Sequence, residues 1–249
     1  MRLVKIILFT ILLFFTLTVY PHNPEDFVIS EIEQGELTFE NEKIAEEYTE
    51  AVKRLRIRRL NAMSFGKKFL IFTKSGFEHI IPKGFDHILF ILGLFFSCLK
   101  FRSLLIQVTA FTIAHSITLI LASIGLIEIP SSIVEPLIAL SIVWIALENF
   151  LLKEPSKWRF LVVFTFGLLH GLGFASVLSY YGLPKDNFIS LLLAFNVGVE
   201  IGQLSILIVA FVLVDLIFKK IFNIKNIGTP ASIILGSIGL FWFIERVFV

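Results

Sequence analysis

Three histidines lie in stretches of sequence that are otherwise apolar enough to be dissolved in lipid. They are His87 in GFDHILFILG, His115 in FTIAHSITLI and His170 in FGLLHGLGFA. Ionisable side chains are costly in hydrocarbon, so they are rare there and usually belong to a transport path or a binding site. An apolar protein that keeps such a set is expected to handle a cation. Acids and amides accompany the histidines in similar surroundings: Asp86, Glu135, Glu148, Asn196, Glu200 and Gln203.

The adjacent residues Asp86 and His87 follow a segment in which Pro82 and Gly84 interrupt regular helix. A bent segment of this kind allows imidazoles and oxygen atoms to face one point. A hard carboxylate beside an imidazole nitrogen suits nickel, cobalt, zinc or manganese better than an alkali metal. The alternative is that Asp86 only fixes the tautomer of His87 or caps the helix. His79, at the boundary of the membrane domain, is a candidate for metal capture.

The other two histidines each have a distinctive neighbourhood. His115 shares one helical face with Thr112 and Ser116, because positions i, i+3 and i+4 are neighbours on a helix surface. The alternative to metal binding there is a core histidine satisfied by those hydroxyls. His170 lies between Gly167 and Gly171, and such a spacing of small residues is typical of close helix–helix contacts. His170 should therefore point toward protein rather than lipid.

Three polar residues also share one face of the fifth predicted span, namely Asn196, Glu200 and Gln203. An isolated Glu200 in lipid would stay protonated, whereas beside a histidine or a metal ion it would ionise and bind. Asn196 and Gln203, like Thr112, are candidates for partners that orient the ligands.

Glu135 and Glu148 lie on one predicted helix and are about 220° apart around it, at 100° per residue. They cannot both face one central site. Glu135 begins its span near the outer surface, where it is either a metal ligand or a first-turn acid favoured by the helix dipole. Glu148 is either a residue on the exit side or an ordinary interfacial acid.

Composition places these residues in a polytopic membrane protein. The chain has 249 residues, of which 56% are hydrophobic and only 17% charged, and its mean hydropathy is +0.87. That balance lies far outside the usage of soluble globular proteins. A formal net charge of +2 gives no indication of nucleic-acid binding. The single cysteine, Cys98, excludes an internal disulfide and a cysteine-based zinc cluster, so a cation site must use nitrogen and oxygen ligands.

The N-terminus resembles a secretory signal. Arg2 and Lys5 precede an unbroken apolar run from Ile6 to Val19, which predicts a signal peptide or an uncleaved signal anchor over 1–21. The following segment, 22–78, is then extracytoplasmic. Residues 41–62 within it lack Gly and Pro and carry an incomplete apolar stripe, which predicts a helix. The remaining residues, 79–249, form a transmembrane helical bundle.

The fold class is therefore all-α, with about six membrane helices. A span needs about 20 apolar residues, and the predicted spans lie near 84–99, 104–126, 131–152, 160–180, 188–217 and 229–248. Lysines and arginines concentrate in alternate loops, and the positive-inside rule places those loops in the cytoplasm. The N-terminal segment and the C-terminus are then both on the extracytoplasmic side of the cytoplasmic (inner) membrane of a bacterium. His115 and His170 fall near mid-membrane, about 15–16 Å from the cytoplasmic edge at 1.5 Å per residue.

The chain resembles the HupE/UreJ family of small membrane proteins, in the subgroup with an exported N-terminal segment. The matching pieces are GFEHIIPKGFDHILFILGL, TAFTIAHSITLILASIGL, VEPLIALSIVWIALENF, FGLLHGLGFA and AFNVGVEIGQL. The resemblance implies a nickel or cobalt permease. The positions that fall in family motifs are His79, Asp86, His87, His115, His170 and Glu200.

The leading hypothesis is a secondary permease or facilitator whose transported substrate is a divalent metal ion, nickel or cobalt, with zinc as a further option. The candidate metal site comprises Asp86, His87, His115, His170, Glu200, His79, Asn196 and Glu135. One alternative is an intramembrane zinc enzyme, with three histidines holding zinc and Asp86 or Glu200 as the general base. Another is an accessory protein for metalloenzyme assembly, whose polar groups only lock helices together. The expected partners are the lipid bilayer, the metal ion and, as an option, further copies of the chain.

Overall fold

The computed structural model describes residues 42–98, 100–152, 154–181, 187–214 and 225–248. Within these ranges it describes all side chains except those of residues 42, 44–46, 175–181 and 225–227. The described part consists of α-helices and their connections and contains no strand, which confirms the all-α fold class. The predicted signal segment 1–21 and residues 22–41 lie outside the described residues.

Eight helices make up the described part of the chain. They are α1 Glu42–Asn61, α2 Phe65–Ile80, α3 Phe85–Ser97, α4 Phe101–Ser123, α5 Ser131–Leu151, α6 Arg159–Tyr181, α7 Phe188–Leu213 and α8 Lys225–Phe248. Helix α1 confirms the helix predicted over 41–62. The ends of helices α3 to α8 all fall within four residues of the ends of the six predicted spans.

Most of these helices could span a membrane. Four helices are long and apolar enough to cross a bilayer, namely α4, α5, α7 and the part of α8 over Gly228–Phe248. Helices α2 and α3 together make a fifth candidate, bent by 68° at the break between them. Helix α6 is apolar over Arg159–Phe174. The described residues thus give four candidate spans, or five with the bent pair, where the sequence predicts six.

The outward face of the bundle is apolar, as a lipid-facing surface requires. Large side chains that are exposed along the predicted spans include Ile106, Ile113, Ile117, Trp144, Leu193, Ile201 and Ile208. A soluble protein rarely exposes so extended an apolar surface. Most of the polar candidates, in contrast, are buried among the helices, and Glu135 and Glu200 are half-buried. The distribution is that of a multi-pass membrane protein.

The helices pack as three main pairs around α3. Helix α2 lies against α7, α4 against α6, and α5 against α8, while α3 contacts α5, α7 and α8. Its buried residues Leu89, Phe90 and Leu94 belong to the common hydrophobic core. The short helix α3 is therefore held from several sides, and its first turn carries Asp86 and His87.

Helix α2 is an integral part of this bundle. It begins at Phe65, whereas the sequence places the start of the bundle at residue 79. Gly76 of α2 packs directly on the carbonyl oxygen of Phe195, and Gly198 of α7 packs on that of Thr73; a Cβ at either glycine would collide with backbone. Lysines in α2 lower its hydropathy, so its sequence resembles that of the exported segment although the helix is held tightly against α7.

Candidate metal centre

The break between α2 and α3 brings the first polar residues together. Helix α2 ends at Ile80 and α3 begins at Phe85, with Pro82 and Gly84 between them. Gly84 sits against the carbonyl oxygen of His79, where a Cβ would approach to 2.5 Å. The bend places the His79 ring at the end of α2 next to the His87 ring in α3, with 4.9 Å between centroids. The role predicted for the Pro–Gly interruption, to turn side chains toward one point, is therefore seen in the geometry.

A glycine seam brings the other two histidines to the same place. Gly167 of α6 packs on the backbone of Phe111 in α4, and Gly171 packs on the His115 carbonyl. Because the backbones approach so closely, the side chains that flank the seam turn inward. The ring centroids of His87 and His170 are 4.8 Å apart, and those of His87 and His115 are 6.0 Å apart. His87 is thus the centre of a cluster of four imidazoles.

All four rings are shielded from the surroundings. The relative exposure is 6% for His79, 3% for His87, 0% for His115 and 2% for His170. The rings of Phe111 and Phe174 cover the cluster at opposite sides, with centroids 4.9 Å from His170 and 4.1 Å from His79 respectively. A buried polar cluster without compensation would be destabilising. The hydrogen bonds of the imidazoles therefore decide what the cluster can do.

Asp86 orients His87. Its Oδ1 accepts a hydrogen bond from the His87 backbone N–H at 2.8 Å and lies 2.9 Å from His87 Nδ1. A carboxylate can only accept here, so Nδ1 carries the proton in the neutral ring and Nε2 carries the lone pair. The alternative role of Asp86, fixing the tautomer of His87, is thus consistent with the geometry.

Asn196 orients His115 across the α4–α7 contact. The Asn196 Nδ2 donates to the Leu192 carbonyl at 2.9 Å, which leaves Oδ1 facing His115 Nδ1 at 3.1 Å. His115 therefore donates through Nδ1 and keeps its lone pair on Nε2. In α6, His170 Nδ1 lies 2.8 Å from the Phe166 carbonyl oxygen. A carbonyl is also an acceptor only, so the same tautomer follows for His170.

Three imidazoles thus present the same unused atom. The Nε2 atoms of His87, His115 and His170 are buried and have no hydrogen-bond partner. Buried polar atoms are nearly always paired, so three orphaned acceptors in one cluster require an explanation. Imidazoles whose Nδ1–H is held by an acceptor and whose Nε2 is free are the usual form of metal-binding histidines.

Two groups of ligand atoms are close enough to share an ion. One consists of His79, His87 and His115, and the other of Asp86, His87 and His170, with ligand atoms within 4.8 Å of one another in each group. Two ligands that bind one ion at about 2.1 Å are at most about 4.2 Å apart. A contraction of less than about 1 Å would therefore close either group around a metal. His87 belongs to both.

A small cavity adjoins the cluster. Its volume open to the centre of a water molecule is about 20 Å³, which corresponds to roughly one water molecule. An ion fits such a space, whereas an organic molecule does not. The lining residues are His79, Asp86, His87, Glu135, Ile138, His170, Gly173, Phe174 and Arg246.

Glu200 lies apart from both histidine groups. Its Oε1 accepts a hydrogen bond from Thr109 at 2.6 Å, and neither group of close ligand atoms contains it. Thr109 precedes His115 by six residues, so the Glu200 carboxylate lies toward the start of α4. Gln203 likewise accepts from Thr112 at 2.9 Å rather than touching a histidine. Of the three polar residues on this face, Asn196 alone is shown bonded to one of the histidines.

The two glutamates of α5 lie at separate sites, as their helical angle predicts. Glu135 lines the small cavity, and its Oε2 lies 3.9 Å from Arg246 Nε. Glu148 forms a 3.1 Å ion pair with Arg159 and accepts from the Ser156 backbone N–H. That pair lines a different cavity, of about 840 Å³, together with Cys98.

Sequence reasoning did not identify Arg246 as part of the site. Arg246 stands near the end of α8, where a single basic residue is usually an interfacial anchor. The FIERVF segment around Arg246 has the composition of an ordinary helix end. Trp242, one turn before Arg246, is the only local feature that could have drawn attention to it. The Arg246 guanidinium lies 5.5 Å from the centroid of the Trp242 ring. Arg159 belongs to one of the basic loops that the positive-inside rule places in the cytoplasm, although its side chain is buried.

Comparison with known proteins identifies one family. A family model described as HupE / UreJ protein matches residues 54–246, which is more than three quarters of the chain. The match includes every residue of the histidine cluster and extends to Arg246. Neither the comparison with curated proteins nor that with solved structures found a match.

Proposed function

The chain belongs to the HupE/UreJ family, and from that premise we propose that it is a secondary permease or facilitator for a divalent transition-metal ion. Nickel or cobalt is the proposed substrate, carried across the cytoplasmic membrane of a bacterium. The family suggests metal transport or an accessory role. The choice of transport rests on the geometry of the histidine cluster.

One observation carries this proposal. Three buried imidazoles, of His87, His115 and His170, hold their Nδ1 atoms against acceptors and leave their Nε2 atoms without partners. Histidines that only lock helices together would use both ring nitrogens, because unpaired buried groups cost free energy. Imidazole nitrogen with one carboxylate also matches the ligand preference of nickel and cobalt over magnesium or calcium.

The arrangement supports a stepwise path with His87 at its centre. In the proposed orientation Asp86, His87 and His170 receive the ion from the outer side. The ion then exchanges to His79, His87 and His115, so that it never leaves His87 during the exchange. Glu200, on the side toward the start of α4, would be the next group that the ion meets. The two groups of ligands share His87, so the ion can pass from one to the other. Such an arrangement favours passage over permanent retention, since a permeant ion must also be released.

No nucleotide-driven step is required for inward movement. The membrane potential favours entry by about 2.3 kcal/mol per charge per 100 mV, which is about 4.6 kcal/mol for a divalent ion. Because the cell interior is negative, the potential makes uptake the favoured direction.

The small cavity favours a permease over a zinc enzyme. Substrate pockets usually enclose about 300–1,000 Å³, whereas the space beside the histidines is about 20 Å³. An intramembrane enzyme would need room for a substrate next to the ion. An accessory protein would need neither ion binding nor flux, and the experiment below separates that role from transport.

Uptake of nickel and cobalt into proteoliposomes tests the proposal. With an inside-negative potential, the wild type should accumulate the ion, and the variants His87→Ala and His170→Ala should lose at least about tenfold of the flux, as removal of one ligand does. Phe111→Leu is the matched control, because its ring touches His87 and His170 but supplies no ligand. Wild-type flux in both histidine variants would refute the permease, and a retained stoichiometric ion without flux would favour the enzyme.

A further inference from the structure

A permanently charged arginine lies in the wall of the proposed cation site. Arg246 shares the small cavity with Asp86, His87 and His170, and its side chain is only 5% exposed. A guanidinium cannot release its proton in a protein. The site therefore already contains one positive charge that repels any entering cation, and a simple cation pathway would not be expected to keep it.

The partners of Arg246 come from two helices. Its Nη1 donates to the Glu135 backbone carbonyl at 2.9 Å, and its Nε lies 3.9 Å from Glu135 Oε2. The Trp242 ring lies under the guanidinium at 5.5 Å. A strong arginine–carboxylate pair is bidentate with distances of about 2.7–2.9 Å. The distance between Arg246 Nε and Glu135 Oε2 is longer than that.

Charge balance explains why the arginine is present. Asp86 and Glu135 both line the cavity with Arg246, and carboxylates in such a place are disfavoured without a compensating charge. Arg246 contributes to that compensation when no ion is bound. A divalent ion that enters then replaces part of this compensation and meets the repulsion of the guanidinium.

We propose that Arg246 is a tethered counter-cation that sets the affinity threshold of the site. Its repulsion lowers the affinity for every divalent cation by about the same factor, so only an ion that gains strongly from imidazole nitrogen still binds. Nickel and cobalt do so, whereas magnesium prefers oxygen ligands and retains its water. Arg246 thereby keeps weakly bound hard cations out of the site without contacting the ion. This inference rests on the proposed function, since it assigns the affinity of the same site.

Charge variants of Arg246 provide the test, with binding measured by calorimetry on the full chain in lipid nanodiscs. Arg246→Gln should bind Ni²⁺ about tenfold more tightly or better, because one nearby repulsive charge is removed, and Mg²⁺ should become a measurable competitor. Arg246→Lys keeps the charge and should retain the wild-type affinity for Ni²⁺, with Mg²⁺ as weak a competitor as in the wild type. If Arg246 had only a structural role, the Arg246→Gln and Arg246→Lys variants would not differ in Ni²⁺ affinity in this way.

A double-mutant cycle with Glu135 strengthens the test where Arg246→Gln alone folds poorly. Glu135→Gln leaves Arg246 uncompensated and should weaken Ni²⁺ binding about tenfold. The double variant Arg246→Gln/Glu135→Gln should return to nearly wild-type affinity. A double variant that binds Ni²⁺ no better than Glu135→Gln alone would mean that the charge of Arg246 does not repel the ion, and the proposal would be wrong.

Arg159→Gln is the matched control. It removes the other arginine that pairs with a glutamate of α5, and Arg159 is equally buried but lines a different cavity. Its Ni²⁺ affinity and Mg²⁺ competition should equal those of the wild type. Unchanged or weaker Ni²⁺ binding in Arg246→Gln, with wild-type binding that requires His87, would overturn the inference and leave the permease intact. Absence of His87-dependent Ni²⁺ binding in the wild type would overturn both.

Discussion

Asn196 Oδ1 lies 3.1 Å from His115 Nδ1, so a residue of α7 sets the ring orientation of a histidine in α4. Because Asn196 Nδ2 is held by the Leu192 carbonyl, the amide cannot rotate without losing that bond. The contact therefore fixes both the position of the His115 ring and the nitrogen that carries its lone pair.

Loss of this contact should weaken metal binding although Asn196 need not touch the ion. Asn196→Ala leaves His115 in place but removes its acceptor, and loss of such an orienting partner typically costs about 10–100-fold in metal affinity. Calorimetric titration with Ni²⁺ measures the effect. Gln203→Ala is the control, since Gln203 accepts from Thr112 and not from a histidine. Equal losses in the two variants would mean that general packing, and not ring orientation, is responsible.

Asp86 has two separable roles, and two substitutions distinguish them. Asp86→Asn keeps an oxygen that can accept from His87 Nδ1 but removes the charge, whereas Asp86→Ala removes both. If the carboxylate contributes charge or a ligand oxygen, Asp86→Asn should weaken Ni²⁺ binding by at least about tenfold, with a further loss in Asp86→Ala. Ni²⁺ affinity of the purified variants provides the measurement. Wild-type affinity in Asp86→Asn would reduce Asp86 to a residue that only orients His87.

The glycine seam between α4 and α6 should limit stability. A Cβ at Gly171 would collide with the His115 carbonyl and with Thr118 Oγ1. Gly171→Ala must push the helices apart, which should destabilise the bundle by about 1–3 kcal/mol, as overpacking does. Thermal unfolding in detergent measures the change. Gly66→Ala is the matched control, because Gly66 in α2 has no atom within 4 Å of the added carbon and should be neutral or slightly stabilising.

Much of the site could be predicted because polar residues are conspicuous in apolar sequence. His87, His115 and His170 stand out for that reason, and the Gly167–Gly171 spacing indicates correctly that His170 faces protein. Pro82 and Gly84 likewise indicate the bend that turns His79 toward His87. These inferences depend only on local composition and helical geometry, which the sequence contains in full.

The remaining features depend on how distant helices pack, and local sequence does not encode that. Arg246 and Glu135 are 111 residues apart, and nothing in either segment indicates the other. Glu200 shares a helical face with Asn196, yet its neighbours in α4 place it beside Thr109 and outside the histidine groups. Helix α2 has too many lysines to stand out as a membrane helix, although its glycine packs closely on α7.

Glu200 should affect transport more than equilibrium binding. Its carboxylate binds Thr109 and lies outside both groups of close ligand atoms, so the ion meets it only after leaving the histidines. Glu200→Gln removes the charge that would attract the departing ion. Flux into proteoliposomes should fall by about tenfold, whereas Ni²⁺ affinity should change less than about threefold, because a single charge screened by distance has a small effect on binding.

Two comparisons on the same helices make this prediction specific. Ser205→Ala in α7 is the control, because the Ser205 hydroxyl donates to the Ile201 carbonyl of its own helix; its flux and affinity should both be unchanged. Thr109→Val releases the Glu200 carboxylate from its hydrogen bond without removing the charge, and should retain most of the flux. A fall in Ni²⁺ affinity as large as the fall in flux would place Glu200 among the ligands of the bound ion, where the sequence alone had predicted it.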